Sequence, residues 1–169
     1  GIVKQHEGHI TCYSRPGIGS TFKVYLPSLE GEVGQHREKK ELRLPGGTET
    51  ILLVEDEQFV RDLGERILSR AGYKVITAEN GREALDMYVR ERERISLVIL
   101  DLIMPEMDGK HCLEKILQVD PRARIIVSSG YSAEVSSKDT VGSGAKGFVG
   151  KPYDMGQLLR TVRDVLDQG

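Results

Sequence analysis

Cysteine is scarce in this sequence: Cys12 and Cys112 are the only two among 169 residues. They lie far apart and belong to no CxxC or Cys/His spacing, so we expect neither a disulfide framework nor a zinc site. Long apolar runs are also missing, since the aliphatic run at residues 97–100 is far shorter than the roughly 20 residues of a membrane helix. The first residues show no charged-then-apolar leader pattern. We therefore expect a cytoplasmic location and no membrane contact by this stretch of chain.

The charges are nearly balanced, with 24 basic and 26 acidic side chains, which gives no support for binding nucleic acid through a basic surface. Hydrophobic residues make up 38% and charged residues 30%, a composition that favours a folded chain over a disordered one. The length suits one domain of ordinary size with an appendage. Because the chain begins at Gly1 and not at methionine, we expect it to be a fragment of a longer protein.

Short apolar runs alternate with longer amphipathic segments from about residue 48 to 168, a pattern that predicts five βα units around a parallel sheet. Most of the runs are almost purely aliphatic or aromatic, as strands covered on both faces must be. The predicted strands are residues 51–54, 73–77, 97–100, 125–128 and 147–149. Residues 30–47 hold glycines and mixed charges without apolar periodicity, which is typical of a linker.

Helical spacing of apolar residues is evident between these strands. The residues that carry it are Val60, Leu63, Ile67 and Leu68; Leu113, Ile116 and Leu117; and Met155, Leu158, Leu159, Val162, Val165 and Leu166. Asn80 and Glu83 have the spacing of a capping box at the start of a further helix. The segment 132–143 is the weakest helix candidate because it has few large apolar residues.

Three acidic residues follow predicted strands: Glu55 and Asp56 after the first, and Asp101 after the third. In open α/β sheets ligands bind at the carboxyl edge of the strands, so residues distant in sequence can meet there. Neighbouring carboxylates repel one another, and a hard divalent cation keeps them ionised together. Oxygen-only ligands completed by water suit Mg²⁺. The sequence therefore predicts a magnesium site at this edge.

The fourth and fifth predicted strands bring a hydroxyl and an ammonium to the same edge, from Ser129 and Lys151. Either residue alone is more often a turn residue or a solvated surface charge, and an acid after a strand is often a helix cap. Together with a cation and a carboxylate, however, they are the parts needed to position and neutralise a phosphoryl group. Asp101 would be the nucleophile, since carboxylates form acyl phosphates.

Four ordered motifs give residues 48–168 a specific resemblance to the response-regulator receiver family. The motifs are ILLVEDE (51–57), LVILDLIMPEMDG (97–109), SSGY (128–131) and GFVGKP (147–152). The resemblance implies an α/β fold, a five-stranded parallel (βα)5 sheet of the flavodoxin-like, doubly wound type with strand order 2-1-3-4-5. It also implies a phosphoacceptor in a two-component phosphorelay and not an enzyme with a separate substrate, although receivers phosphorylate and dephosphorylate themselves.

By this resemblance Asp101 accepts a phosphoryl group from the phosphohistidine of a histidine kinase or a histidine phosphotransfer protein. Glu55, Asp56, Asp101 and the backbone carbonyl of Ile103 would hold Mg²⁺. Glu55 departs from the family, where aspartate is commoner, so its longer arm would reach the metal through a different arrangement of water.

The same resemblance implies that Ser129 and Lys151 bind the phosphoryl oxygens and that a cis peptide before Pro152 aims the lysine. Ser129 and Phe148 would form the switch that reports phosphorylation. The family often has tyrosine in place of Phe148, so this ring could rotate but could make no hydroxyl hydrogen bond. Plain core packing of Phe148 is an equally good interpretation.

Residues 1–29 stand outside the five units and contain two predicted strands, 9–13 and 21–26, joined by a turn-rich segment. The GIGSTF run at residues 17–22 resembles the last glycine motif of a histidine-kinase ATP-binding domain. The other motifs of that domain are missing, so we do not expect ATP binding. His6 and His9 lack further ligands, and we expect them to be solvated residues, not a metal site.

The order of a kinase remnant (1–29), a linker (30–47) and a receiver (48–169) implies a hybrid sensor histidine kinase as the parent, and such a parent can be membrane-anchored. The family's contact face would comprise residues 132–168. Two alternatives stay open: a receiver-like binding module without chemistry, and a phosphohydrolase of the haloacid dehalogenase type. The latter requires a second aspartate where Ile103 stands. The signal, the destination of the phosphate and the oligomeric state cannot be read from the sequence.

Overall fold

The computed structural model describes residues 2–28, 44–104, 107–130 and 144–168. The chain divides into two compact units, Gly1–Leu42 and Arg43–Gly169. Most of the predicted linker and the weak helix predicted at 132–143 lie outside the described residues. No helix in the described part of the chain is long and apolar enough to cross a membrane.

The first unit contains a short helix, α1 (Ile2–Gln5), and an antiparallel hairpin of β1 (His9–Arg15) and β2 (Gly19–Tyr25). Both predicted strands are confirmed, each starting or ending within two residues of the predicted bounds. Gly17 and Gly19 have φ values of 75° and 122°, which side chains rarely tolerate and which explain glycine in this turn.

The second unit alternates strands and helices. Its elements are β3 (Thr50–Val54), α2 (Gln58–Arg70), β4 (Lys74–Ala78), α3 (Gly81–Glu91), β5 (Ile95–Asp101), α4 (Gly109–Val119), β6 (Ile125–Ser129), β7 (Gly147–Gly150) and α5 (Met155–Asp167).

All neighbouring strands of the second unit pair in parallel, in the order β4-β3-β5-β6-β7. Numbered from β3, this order is 2-1-3-4-5, as predicted. The five predicted strands are confirmed within two residues at either end. The strand β5 lies in the middle, so its last residue has β3 on one side and β6 on the other.

Side chains of the sheet alternate between two apolar layers, as the two-residue period of a strand requires. In β3, Ile51 and Leu53 pack on the layer that contains α2 and α5, whereas Leu52 and Val54 pack on the layer that contains α3 and α4. All four side chains are at most 1% exposed. Helices therefore cover both faces, which confirms the doubly wound architecture.

The apolar stripe of α5 is buried as predicted except at its first member. Leu158, Leu159, Val162, Val165 and Leu166 are buried, but Met155 is 47% exposed because the first turn of the helix lies at the rim of the core. Leu63, one of the apolar residues at helical spacing in α2, is likewise 44% exposed. Its neighbour Gly64 faces the sheet instead, about 100° further around α2.

The capping box at α3 is half right. Asn80 Oδ1 accepts a hydrogen bond from the Glu83 amide at 2.9 Å, as an N-cap should. The Glu83 carboxylate accepts from the Glu79 amide at 2.8 Å, one residue before the expected partner. The side chain still satisfies a backbone donor ahead of the helix.

The segment just before β3 is held to the last helix by an ion pair. Arg163 Nη1 lies 2.8 Å from Glu49 Oε1, and Arg163 Nη2 lies 2.8 Å from Asp167 Oδ1. The amide of Gly47 donates to the carbonyl of Ala71 at 3.1 Å, which adds a backbone tie at the same edge. The amino edge of the sheet is therefore closed by contacts between the start and the end of this unit.

We predict that Glu49→Gln lowers the free energy of unfolding by about 0.5–1 kcal/mol at pH 7, the range of half-exposed ion pairs. Burial raises the pKa of Glu49, but a backbone hydrogen bond and Arg163 outweigh it and leave the pKa below its usual value. The contribution is therefore present above the ordinary glutamate pKa and is lost as pH falls through the lowered value.

Urea denaturation at pH 7 and at about pH 3 measures both effects. Glu93→Gln, which removes a carboxylate paired with the exposed Arg92, is the matched control and should change stability little. An equal loss in both variants, or a loss that persists at the acidic pH, would contradict the prediction.

Candidate functional site

Three carboxylates meet at the carboxyl edge of the sheet. The amide of Glu55, directly after β3, donates to the carbonyl of Ala78 at 3.0 Å and so stays in line with the neighbouring strand. Asp101 ends β5, opposite Ser128 in the ladder. Ligand oxygens of Glu55, Asp56 and Asp101 all lie within 4.8 Å of one another. The acids predicted to converge from distant positions are thus brought together.

The three acids differ in burial. Glu55 is 0% and Asp101 3% exposed, while Asp56 is an exposed residue. Burial raises the pKa of Glu55, and the nearby Lys151 ammonium opposes that shift. The cluster therefore has a desolvated interior side and a water-facing side at Asp56.

Lys151 joins the two buried acids. Its Nζ lies 2.7 Å from Asp101 Oδ2 and 2.5 Å from Glu55 Oε2. Its amide donates to the carbonyl of Ser129 at 2.9 Å, which continues the β6–β7 ladder, and the following bond to Pro152 is cis. Although burial lowers the pKa of Lys151, hydrogen bonds and the charges of the two acids raise it overall, so the ammonium stays charged.

Ser129 lies on β6, the strand next to that of Asp101, and Phe148 lies on β7, one strand further out. Ser129 ends β6, is 5% exposed and pairs with Gly150 of β7. Phe148 is half-buried and packs against the layer that contains α3 and α4. Its switch role stays a prediction.

The loop after β5 folds back on the acceptor candidate. The amide of Ile103 donates to Asp101 Oδ1 at 3.2 Å, and the amide of Gly109 donates to the carbonyl of Leu102 at 3.2 Å. A Cβ atom at Gly109 would overlap the Asp101 carbonyl and the Leu102 Cα, so only glycine allows this approach. The Ile103 backbone is thereby held beside the Asp101 carboxylate, while its side chain is 62% exposed.

Two residues near the acids were not singled out by sequence reasoning, Arg61 and Tyr153. The Tyr153 ring is 7% exposed and lies where a Cβ at Gly64 would come within 3.1 Å of it. Its hydroxyl donates to Ser128 Oγ at 3.4 Å, and burial raises its pKa to about 12. A tyrosine after Lys-Pro gives no sign of these contacts in the sequence, because they depend on the tertiary position of the ring between Ser128 of β6 and Gly64 of α2.

Arg61 Nη1 donates to the carbonyls of Glu55 at 2.6 Å and Asp56 at 3.2 Å. The signal in the sequence that could have pointed to Arg61 is its position. A cation in the first turn of a helix is repelled by the helix dipole and therefore requires nearby acceptors.

The donor set fits a hard divalent cation. It consists of oxygen atoms, two of the three carboxylates are buried, and the third faces water, which suits an ion that keeps part of its hydration shell. Glu55 Oε2 is fully buried and accepts no well-directed hydrogen bond, although Lys151 Nζ is close to it. An oxygen in this position has lone-pair capacity left for a metal.

Comparison with known proteins agrees with this geometry. Residues 51–163 match the model of the response regulator receiver domain. The chain belongs to this family. Its members act as phosphoacceptors in two-component signalling, and receiver domains bind Mg²⁺.

Three relatives illustrate the similarity. Sensor kinase CckA of Brucella abortus is 36% identical over 99% of this chain, which spans only 19% of that kinase. Chemotaxis protein CheY of Bacillus subtilis is 36% identical over 69% of this chain and 97% of its own length. The crystal structure of a CheX-CheY-BeF3-Mg²⁺ complex from Borrelia burgdorferi matches with a TM-score of 0.66 and 36% identity, covering 69% of this chain and 88% of that one.

We predict that Lys151→Met binds Mg²⁺ more tightly than the wild type. The ammonium competes with a metal for Glu55 and Asp101, and without it a metal or a proton must neutralise these buried acids. For the same reason the metal-free variant should lose about 3 kcal/mol of stability, and Mg²⁺ should restore most of it.

Calorimetric titration with Mg²⁺ and thermal unfolding with and without Mg²⁺ measure these effects. Lys146→Met, which changes the charge at an exposed lysine, is the control. Unchanged or weaker Mg²⁺ binding by Lys151→Met would show that the ammonium and the metal do not share these acids.

Proposed function

We propose that Asp101 is the phosphoacceptor and receives its phosphoryl group from a phosphohistidine on a histidine kinase or a histidine phosphotransfer protein. A carboxylate oxygen attacks phosphorus, the P–N bond breaks as the P–O bond forms, and the bonding electrons leave with the imidazole nitrogen. The observation that carries this is the position of Asp101 among two acids and a charged lysine at the carboxyl edge of the central strand.

The remaining groups prepare the acceptor. Glu55, Asp56, Asp101 and the carbonyl of Ile103 would hold Mg²⁺, which when bound supplies positive charge for the phosphoryl oxygens. Lys151 moves part of its pairing from the two acids to the incoming phosphoryl group and limits repulsion between this group and the carboxylates.

Ser129 is the hydroxyl partner of the phosphoryl oxygens in this scheme. Phe148 adjusts its packing in response, so that phosphorylation alters partner contacts on the face of residues 132–168 or is passed onward. A cytoplasmic location is part of the proposal.

Incubation with Mg²⁺ and acetyl phosphate should add one phosphoryl group to the protein, detected by intact mass, and Asp101→Asn should abolish the gain. The amide keeps the size of the side chain but cannot act as the nucleophile. Asp108→Asn, at an exposed helix cap, is the matched control and should be phosphorylated normally.

Persistence of the added mass in Asp101→Asn would sink the assignment of the acceptor. Absence of any Mg²⁺-dependent gain in the wild type would favour a binding module without chemistry. Steady turnover of phosphate esters would favour the phosphohydrolase alternative.

We further infer that the parent is a hybrid sensor histidine kinase and that residues 1–29 are the end of its ATP-binding domain, followed by a linker (30–47) and the receiver (48–169). The match to a sensor kinase over 99% of the chain supports this layout.

Ile10, Phe22 and Val24 share one face of the hairpin, and each is at least 50% exposed. A two-stranded hairpin is at best marginally stable, so this apolar face requires the rest of a domain.

Amide hydrogen exchange tests this layout. In the 169-residue chain the β1–β2 amides should exchange orders of magnitude faster than those of β3 and β5, while in the complete kinase they should become protected. The β3 amides serve as the internal reference, protected in both proteins. Equal protection of the hairpin and β3 in the short chain would contradict the assignment.

A further inference from the structure

Arg61 occupies an electrostatically unfavourable place. It is the fourth residue of α2, where the helix dipole is positive, and its side chain is only 11% exposed. A buried cation there is retained only if specific acceptors compensate it.

The acceptors are the backbone of the acidic loop and a carboxylate from the next loop. Arg61 Nη1 donates to the Glu55 carbonyl at 2.6 Å and to the Asp56 carbonyl at 3.2 Å. Arg61 Nη2 pairs with Glu79 Oε1, just after β4, at 2.8 Å. A planar guanidinium can make all three contacts at once, and the compact ammonium of a lysine cannot.

The acidic loop has few other restraints in the described part of the chain. The Glu55 amide is tied to β4, and the Glu57 amide donates to Glu55 Oε1 at a longer 3.3 Å. Glu57 is the N-cap of α2 but makes no side-chain capping bond. The orientation of the Glu55 and Asp56 peptide groups therefore depends on Arg61, while the Glu55 carboxylate is also held by the Lys151 ammonium.

We propose that Arg61 is a positioning residue for the metal site: it fixes the backbone of Glu55 and Asp56 so that both carboxylates are already aimed at a shared cation. This inference rests on the proposed function, since it concerns the same Mg²⁺. Partners outside the direct ligands typically change metal affinity by about 10- to 100-fold. For Arg61 we expect a change in Mg²⁺ affinity at the low end of this range, because the buried Glu55 is also restrained by its strand.

An effect of charge alone and an effect of positioning predict opposite changes in the Mg²⁺ affinity of Arg61→Met. Removing a cation next to a metal site strengthens Mg²⁺ binding by simple electrostatics, as expected for Lys151→Met. Loss of positioning weakens it, because the loop must then be ordered when the metal binds. The direction of the change in Arg61→Met therefore separates the two explanations.

The experiment compares the wild type with Arg61→Met, Arg61→Lys and Arg66→Met in the 169-residue chain. Arg66 is an exposed arginine of the same helix and controls for the loss of one charge. Arg61→Lys keeps the charge and most of the size, and provides a variant that folds if the methionine variant does not. Calorimetric titration with Mg²⁺ alone gives the dissociation constant, and amide exchange of Asp56 and Glu57 in metal-free protein reports the order of the loop.

We expect Arg61→Met to bind Mg²⁺ about tenfold more weakly, Arg61→Lys about threefold, and Arg66→Met like the wild type. The Asp56 and Glu57 amides should exchange faster in the metal-free Arg61 variants. With acetyl phosphate, the Mg²⁺ concentration for half-maximal rate should rise by the same factors, while the rate at saturating Mg²⁺ stays within about twofold of the wild type.

Unchanged or tighter Mg²⁺ binding by the Arg61 variants would overturn the proposal, as would a rate loss that saturating Mg²⁺ does not restore. If Arg61→Met does not fold, unchanged binding by Arg61→Lys overturns it. Failure of the proposed function looks different, because the wild type itself would then show no Mg²⁺-dependent phosphorylation.

Discussion

Two carboxylates are buried around one ammonium, and the rest of this structure depends on that contact. Glu55 and Asp101 are removed from water at the ends of neighbouring strands, and Lys151 is the cation that makes this tolerable. The ion triad requires three strands to end at the same level, so the parallel register of the sheet and the charge balance of the site depend on each other.

The central position of β5 divides the site into two halves. The other acids come from the β3 side, and the serine and the lysine come from the β6 and β7 side. Asp101 is the residue that both halves share. Lys151 links the two halves a second time, because its ammonium pairs with Glu55 Oε2 as well as with Asp101 Oδ2. A change of charge at the Asp101 carboxylate therefore acts on contacts of both halves.

Much of this arrangement follows from sequence because it depends on short-range chemistry. Aliphatic runs such as 97–100 predict buried strands, and the known behaviour of parallel sheets brings the residues after them to one edge. The positions of Asp101 and Lys151 could be predicted in this way. The exposure of Met155 and Leu63 could not be predicted. The periodicity of apolar residues shows which face of a helix is apolar, but it does not show which residues of that face the core reaches.

The contacts of Arg61 and Tyr153 were unpredictable for another reason. Their partners are backbone carbonyls and a serine hydroxyl, whose directions are set by the conformation of the loops and by the position of the Tyr153 ring between Ser128 and Gly64. Residue type alone suggests a solvated arginine and a generic aromatic. Residues that orient a site through contacts with the main chain leave almost no recognisable pattern in the sequence. Residues that carry the chemistry do leave one, because their type and position are both restricted.

The ion pair between Glu49 and Arg163 has a consequence for the architecture of longer chains. Because α5 runs back from the acceptor edge, the polypeptide enters and leaves this unit at the opposite edge, about the length of a five-residue strand away from Asp101. Both ends of this unit are therefore anchored at the edge of the sheet that lies opposite Asp101.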